Sequence, residues 1–122
     1  MFDYLKQEIK IMILNGYYNA RYAYSEINSK RQDNSIIIGH LSIANSHINS
    51  ARSVYVCNNN EFVRPEFDDF FHEFSAFSDE VLTNIRTDHS HQWSDIHYNR
   101  LEEKYQIIAP LLGIKQFTDI ST

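Results

Sequence analysis

Cysteine, proline and glycine are scarce in this chain of 122 residues. The sequence contains one cysteine, two prolines and three glycines. The lone cysteine, Cys57, excludes an internal disulfide and any zinc site that needs several cysteines from one chain. Because glycine and proline interrupt regular structure, their scarcity favours a few long helices.

Long hydrophobic runs and excess positive charge are also missing. No stretch approaches the roughly 20 apolar residues that a membrane-spanning helix needs. The first residues include an early acid and no small-residue cleavage site, so we expect no secretory signal peptide. The net charge is -5, which makes free nucleic acid a poor partner, because phosphate binding needs a basic surface. A protein partner, no membrane contact and a cytoplasmic location fit this composition.

What the sequence does contain is a long helical pattern over residues 2–30. No proline interrupts this range, and one apolar line recurs at helical spacing. The members of that line are Phe2, Leu5, Ile9, Met12, Ile13, Gly16, Ala20, Ala23 and Ile27. The small residues in its second half would let a neighbouring helix come close.

A second apolar line runs along another side of the same predicted helix. Its members are Tyr4, Ile11, Leu14, Tyr18 and Tyr22. A helix in a monomeric bundle needs only one apolar stripe to face the core. Aromatic, charge-poor patches are typical of the centres of protein interfaces. The second line therefore predicts contact with another chain.

Residues 35–57 form the second predicted helix, and Asp33, Asn34 or Ser35 can cap its start. Its core line is Ile37, Leu41, Ala44, Ile48, Ala51 and Tyr55. The other positions are mostly serine and asparagine, and Arg52 is the only formal charge between Asp33 and Glu61. Such small, uncharged residues allow the close approach of another backbone and cost less to desolvate than charges.

The second predicted helix also carries a further line, composed of Ile36, His40, Ile43, His47 and Val54. Two adjacent helices with two stripes each suggest one shared interaction surface, used for self-association or for a partner protein. If His40 and His47 flank that interface, association is expected to weaken as falling pH charges histidine.

The third and fourth helices are predicted at 65–87 and 93–109, with a short C-terminal segment after Pro110. The third has an aromatic core line of Phe67, Phe70, Phe71, Phe74, Phe77, Val81, Leu82 and Ile85. Its expected outer, acidic side is Glu66, Asp68, Asp69, Glu73, Asp79 and Glu80. The fourth core line is Trp93, Ile96, His97, Leu101, Tyr105 and Ile108, and Leu111, Leu112, Ile114 and Phe117 can close the core.

Four helices joined by short loops predict an all-α fold: a single-domain, antiparallel, up-down-up-down four-helix bundle over residues 1–122. No segment has the alternation of a strand. No Gly-rich phosphate loop is present, and the sequence predicts no cofactor.

One pair of residues offers an enzymatic alternative. Arg86 and His91, with four residues between them, resemble the Arg-x(4–6)-His signature of HEPN-type ribonucleases, which are small helical bundles that cleave RNA as dimers. The resemblance implies that His91 is the acid or base and that Arg86 holds phosphate. It covers six residues, and Thr87 stands at the position where a polar residue usually follows the arginine.

Three other functions have weaker support. The chain lacks the Glu-x-x-His pairs of di-iron bundles, and we predict no metal site. His40 and His47 lack the lysine and glycine that follow the histidine of phosphotransfer domains. The acids of the third helix could imitate DNA phosphates, as in inhibitors of DNA-binding proteins. We therefore predict a protein that works by protein–protein interaction, as a homodimer or on a partner that it could inhibit.

Overall fold

The computed structural model describes residues 2–57 and 64–114 of the chain. They form four helices: α1 (Phe2–Ile27), α2 (Asn34–Cys57), α3 (Pro65–Thr87) and α4 (Gln92–Leu111). The described residues contain no β-strand. The predicted all-α, antiparallel four-helix bundle is confirmed. The expectations for residues 58–63, for Phe117 and for the side chain of Phe2 lie outside the described residues.

The bundle consists of two helical hairpins. α1 packs mainly on α2, and α3 packs mainly on α4. The α1–α2 contact is close at Gly16, where an added Cβ would overlap the side chain of Ile48 and lie 3.3 Å from the carbonyl oxygen of Ala44. The expected close approach at the small residues of α1 is thus present, and α2 is the helix that makes it.

The turn between α1 and α2 begins earlier than the sequence suggests, because α1 ends at Ile27 and not at residue 30. Asp33 is the residue that caps α2: its Oδ1 accepts the Ser35 N–H at 2.9 Å and the Ile36 N–H at 3.4 Å. Glu26 fixes the turn by accepting the Asp33 N–H at 2.9 Å. A side chain that hydrogen-bonds to nearby backbone groups competes with the backbone hydrogen bonds of the next helical turn, so α1 ends here.

The second hairpin has well-defined ends. α3 starts at Pro65, as predicted, and ends where Asp88 adopts a left-handed conformation (φ 57°). α4 continues through Pro110 to Leu111 and does not end at residue 109. A proline in the last turn removes a single backbone donor, so it does not stop this helix. Gly113 (φ 75°) then closes it, and the N–H of Ile114 donates to the carbonyl of Ala109 at 2.8 Å.

The core is rich in aromatic rings and mixes predicted with unexpected residues. Every predicted core residue of α2 is buried, as are the five phenylalanines of α3. Two predicted core residues are exposed instead: Leu82 at 37% and Trp93 at 60%. The residue after Trp93 in α4, Ser94, is buried instead, and its Oγ accepts a hydrogen bond from Asn84 Nδ2 at 3.1 Å. This bond satisfies both buried polar groups and turns Trp93 towards solvent.

Tyrosine rings join the two hairpins. Tyr17 of α1 stacks on Tyr105 of α4 with ring centroids 3.8 Å apart, and Tyr24 stacks on Tyr98 at 3.9 Å. The hydroxyl oxygens of Tyr17 and Tyr98 lie 3.5 Å apart. We call these four residues the tyrosine seam. Together with the neighbouring ring of Phe77, whose centroid lies 5.5 Å from that of Tyr98, they fill the space between α1, α3 and α4.

Candidate functional site

Seven large apolar side chains are exposed among the described residues of α1 and α2. Besides Ile38 and Val56, five of them belong to the predicted second apolar lines. The exposed fractions of these five range from 45% for Ile36 to 66% for Tyr4. The five residues are Tyr4, Ile11, Tyr22, Ile36 and Ile43. We call this surface the outer face of α1–α2. Helical periodicity explains the exposure, because the packed face of each helix is already filled by its neighbours in the bundle.

The two helices share this face, as expected from their second apolar lines. His40 of α2 and Tyr22 of α1 have ring centroids 5.4 Å apart. The Nδ1 atom of His40 also lies 3.1 Å from Oδ1 of Asn19 on α1, where the ring N–H can donate to the amide oxygen. These contacts hold the histidine ring at the junction between the helices. The outer face is therefore continuous across α1 and α2 where Tyr22 meets His40.

Four of the predicted interface residues lie at the border of this face. Leu14 and Val54 are partly buried and pack against the core, so their main contacts are inside the bundle. Tyr18 and His47 are half-buried. Burial raises the pKa of the Tyr18 hydroxyl. Sequence periodicity alone does not separate these border positions from the exposed ones, because the two groups lie less than a quarter turn apart around the helix axis.

Charge is distributed very unevenly between the two hairpins. Among the described side chains of α1 and α2, no carboxylate is exposed, and the exposed cations are Arg21 and Arg52. Glu8 and Glu26 are half-buried beside the face. α3, in contrast, carries six carboxylates and one arginine. The face with the exposed apolar side chains thus has no exposed carboxylate among its described side chains, and its nearest acids are half-buried.

The acidic side of α3 is less uniform than the sequence predicts. Asp69 is exposed, and Glu66 and Glu80 are half-buried. Glu73 is not on a solvated face, since its side chain is 15% exposed and its Oε2 lies 3.8 Å from Nδ1 of His97 on α4. His97 also departs from the prediction, because it lies at the edge of the core against this carboxylate.

Arg86 and His91 lie near the turn between α3 and α4, where a polar depression opens towards the α1–α2 turn. His91 lines the depression and Arg86 does not; the other lining residues are Ile27, Asn28, Gln32, Asp88, His89, Ser90, Gln92 and Asp95. The His91 ring nitrogens lie 3.3 Å from Gln32 Nε2 and 3.2 Å from Ser94 Oγ. Both nitrogens thus have local partners, and aspartates line the depression, where phosphate would need cations.

The tyrosine seam is the main feature that the sequence reading missed. A signal for it exists, since Tyr17 and Tyr24 are seven residues apart on α1, as are Tyr98 and Tyr105 on α4. Because α1 and α4 are antiparallel, the first tyrosine of each pair can stack on the second tyrosine of the other pair. Burial raises the pKa of all four hydroxyls. A raised pKa keeps these four tyrosines protonated at neutral pH and beyond the pH at which a free tyrosine ionises.

Several other kinds of site find no support in the described part of the chain. Residues 2–57 and 64–114 hold no group of three or more His, Cys, Asp or Glu side chains that could bind a metal ion. Within the same ranges no helix is both long and apolar enough to cross a membrane. Comparison with protein-family models, with curated proteins and with solved structures found no match to this chain.

Proposed function

We propose that this protein acts by binding another protein chain through the outer face of α1–α2, either as a homodimer or on a partner whose activity it could inhibit. The observation that supports the proposal is that apolar side chains are exposed on this face and that none of its described side chains is an exposed carboxylate. Large apolar patches on soluble proteins commonly mark interaction sites.

The composition of the face fits this role at the level of side chains. Tyrosine supplies large contact area at a low entropic cost and keeps a polar tip for water in the unbound state. Isoleucine is stiff about χ1 and loses little freedom on burial. Burying these groups gains free energy, whereas burying a lysine or glutamate would cost it. The single exposed Cys57 fits a reducing compartment, so we place the protein in the cytoplasm.

Ile11→Arg tests the proposal, with Ile107→Arg as the matched control. Both isoleucines lie on helices and have similar exposure, 46% and 48%, but Ile107 is on α4, away from the outer face. We expect Ile11→Arg to weaken association by about 2 kcal/mol or more, roughly 30-fold, because it places a charge in an apolar contact. Ile107→Arg should associate like the wild type.

The measurements are light scattering of the full chain over a wide range of concentrations and affinity capture by the tagged chain from cells that express it. Helix content by circular dichroism shows that both variants fold. The proposal fails if the two variants associate equally well, or if the wild type neither self-associates nor captures any protein in a manner sensitive to Ile11→Arg.

A further inference from the structure

We draw no further inference here: the strongest candidate, the exposed apolar surface patch on the outer face of α1–α2, belongs to the site already described, and nothing in the structure shows which chain covers it.

Discussion

At the scale of single residues, two helical glycines differ sharply in their surroundings. A Cβ at Gly16 would overlap the side chain of Ile48, whereas a Cβ at Gly39 would meet nothing within 4 Å. Replacing an exposed helical glycine by alanine usually stabilises a protein by roughly 0.5–1 kcal/mol, because alanine loses less backbone entropy on folding. Overpacking a well-filled contact usually costs roughly 1–3 kcal/mol.

We therefore expect Gly39→Ala to raise the free energy of unfolding above that of the wild type. The free energy of unfolding of Gly16→Ala should be about 1–3 kcal/mol lower than that of Gly39→Ala. Urea denaturation followed by circular dichroism, at a concentration where the chain is monomeric, measures both. Equal stabilisation by the two substitutions would show that Ile48 moves aside freely and that the close approach of α1 and α2 is not tightly packed.

Individual residues also show where sequence reading reaches its limit. Trp93 is the most apolar candidate near the start of α4, yet it is exposed, and the buried position is the neighbouring Ser94. Hydrophobicity alone cannot predict this, because the decisive contact is a hydrogen bond from Asn84, which lies on another helix. Tyrosine is similarly ambiguous: Tyr17 is fully buried and Tyr22 is 57% exposed, although both are on α1.

At the scale of elements, the core line of α2 was predictable in full and that of α1 only in part. The apolar line of α2 from Ile37 to Tyr55 stands out against serine and asparagine, and all of it is buried. α1 has apolar residues on nearly every side, so its core-facing direction depends on the positions of the other helices. The exposed line from Tyr4 to Tyr22 was visible in the sequence, but its exposure followed only from the packing.

The tyrosine seam makes a prediction about alkaline stability. Burial raises the pKa of the Tyr17 and Tyr105 hydroxyls above the usual value of 10. Above pH 10 the unfolded chain loses these protons and the folded chain keeps them, so the unfolded state binds fewer protons. The stabilisation is therefore complete below pH 10 and is lost as the pH rises above it, by about 1.4 kcal/mol per pH unit for each such tyrosine.

Urea unfolding at several pH values between 9 and about 11.5 measures this slope. Tyr17→Phe and Tyr105→Phe each remove one ionisable hydroxyl, so each should reduce the slope by about 1.4 kcal/mol per pH unit. A slope that neither substitution changes would mean that these hydroxyls ionise equally in the folded and unfolded chains.

At the scale of the whole molecule, the bundle divides its surface between two hairpins of different character. The described exterior of α1 and α2 is partly apolar and has no exposed carboxylate, whereas α3 carries six carboxylates. The sequence already contained this division, since net charge and its distribution can be read from the residues directly. The exposure of the apolar side chains on the outer face could not be read in this way, because it depends on how the helices pack in three dimensions.

Association through the outer face predicts a thermal stability that depends on concentration. A ligand that binds only the folded state raises stability in proportion to the logarithm of its concentration, and a second copy is such a ligand. We expect the Tm of the wild type to rise by several degrees between about 1 μM and 1 mM, and the Tm of Ile11→Arg to stay constant. A Tm that does not change with concentration in either protein would argue against self-association.

The division into two hairpins also has consequences for how the chain folds. Each helix packs mainly on its neighbour in sequence, so most contacts close short loops, and chains of this kind reach the native state quickly. The stacked rings of Tyr17, Tyr24, Tyr98 and Tyr105 join one hairpin to the other. We therefore expect the packing of one hairpin on the other, rather than formation of the helices, to limit the rate of folding.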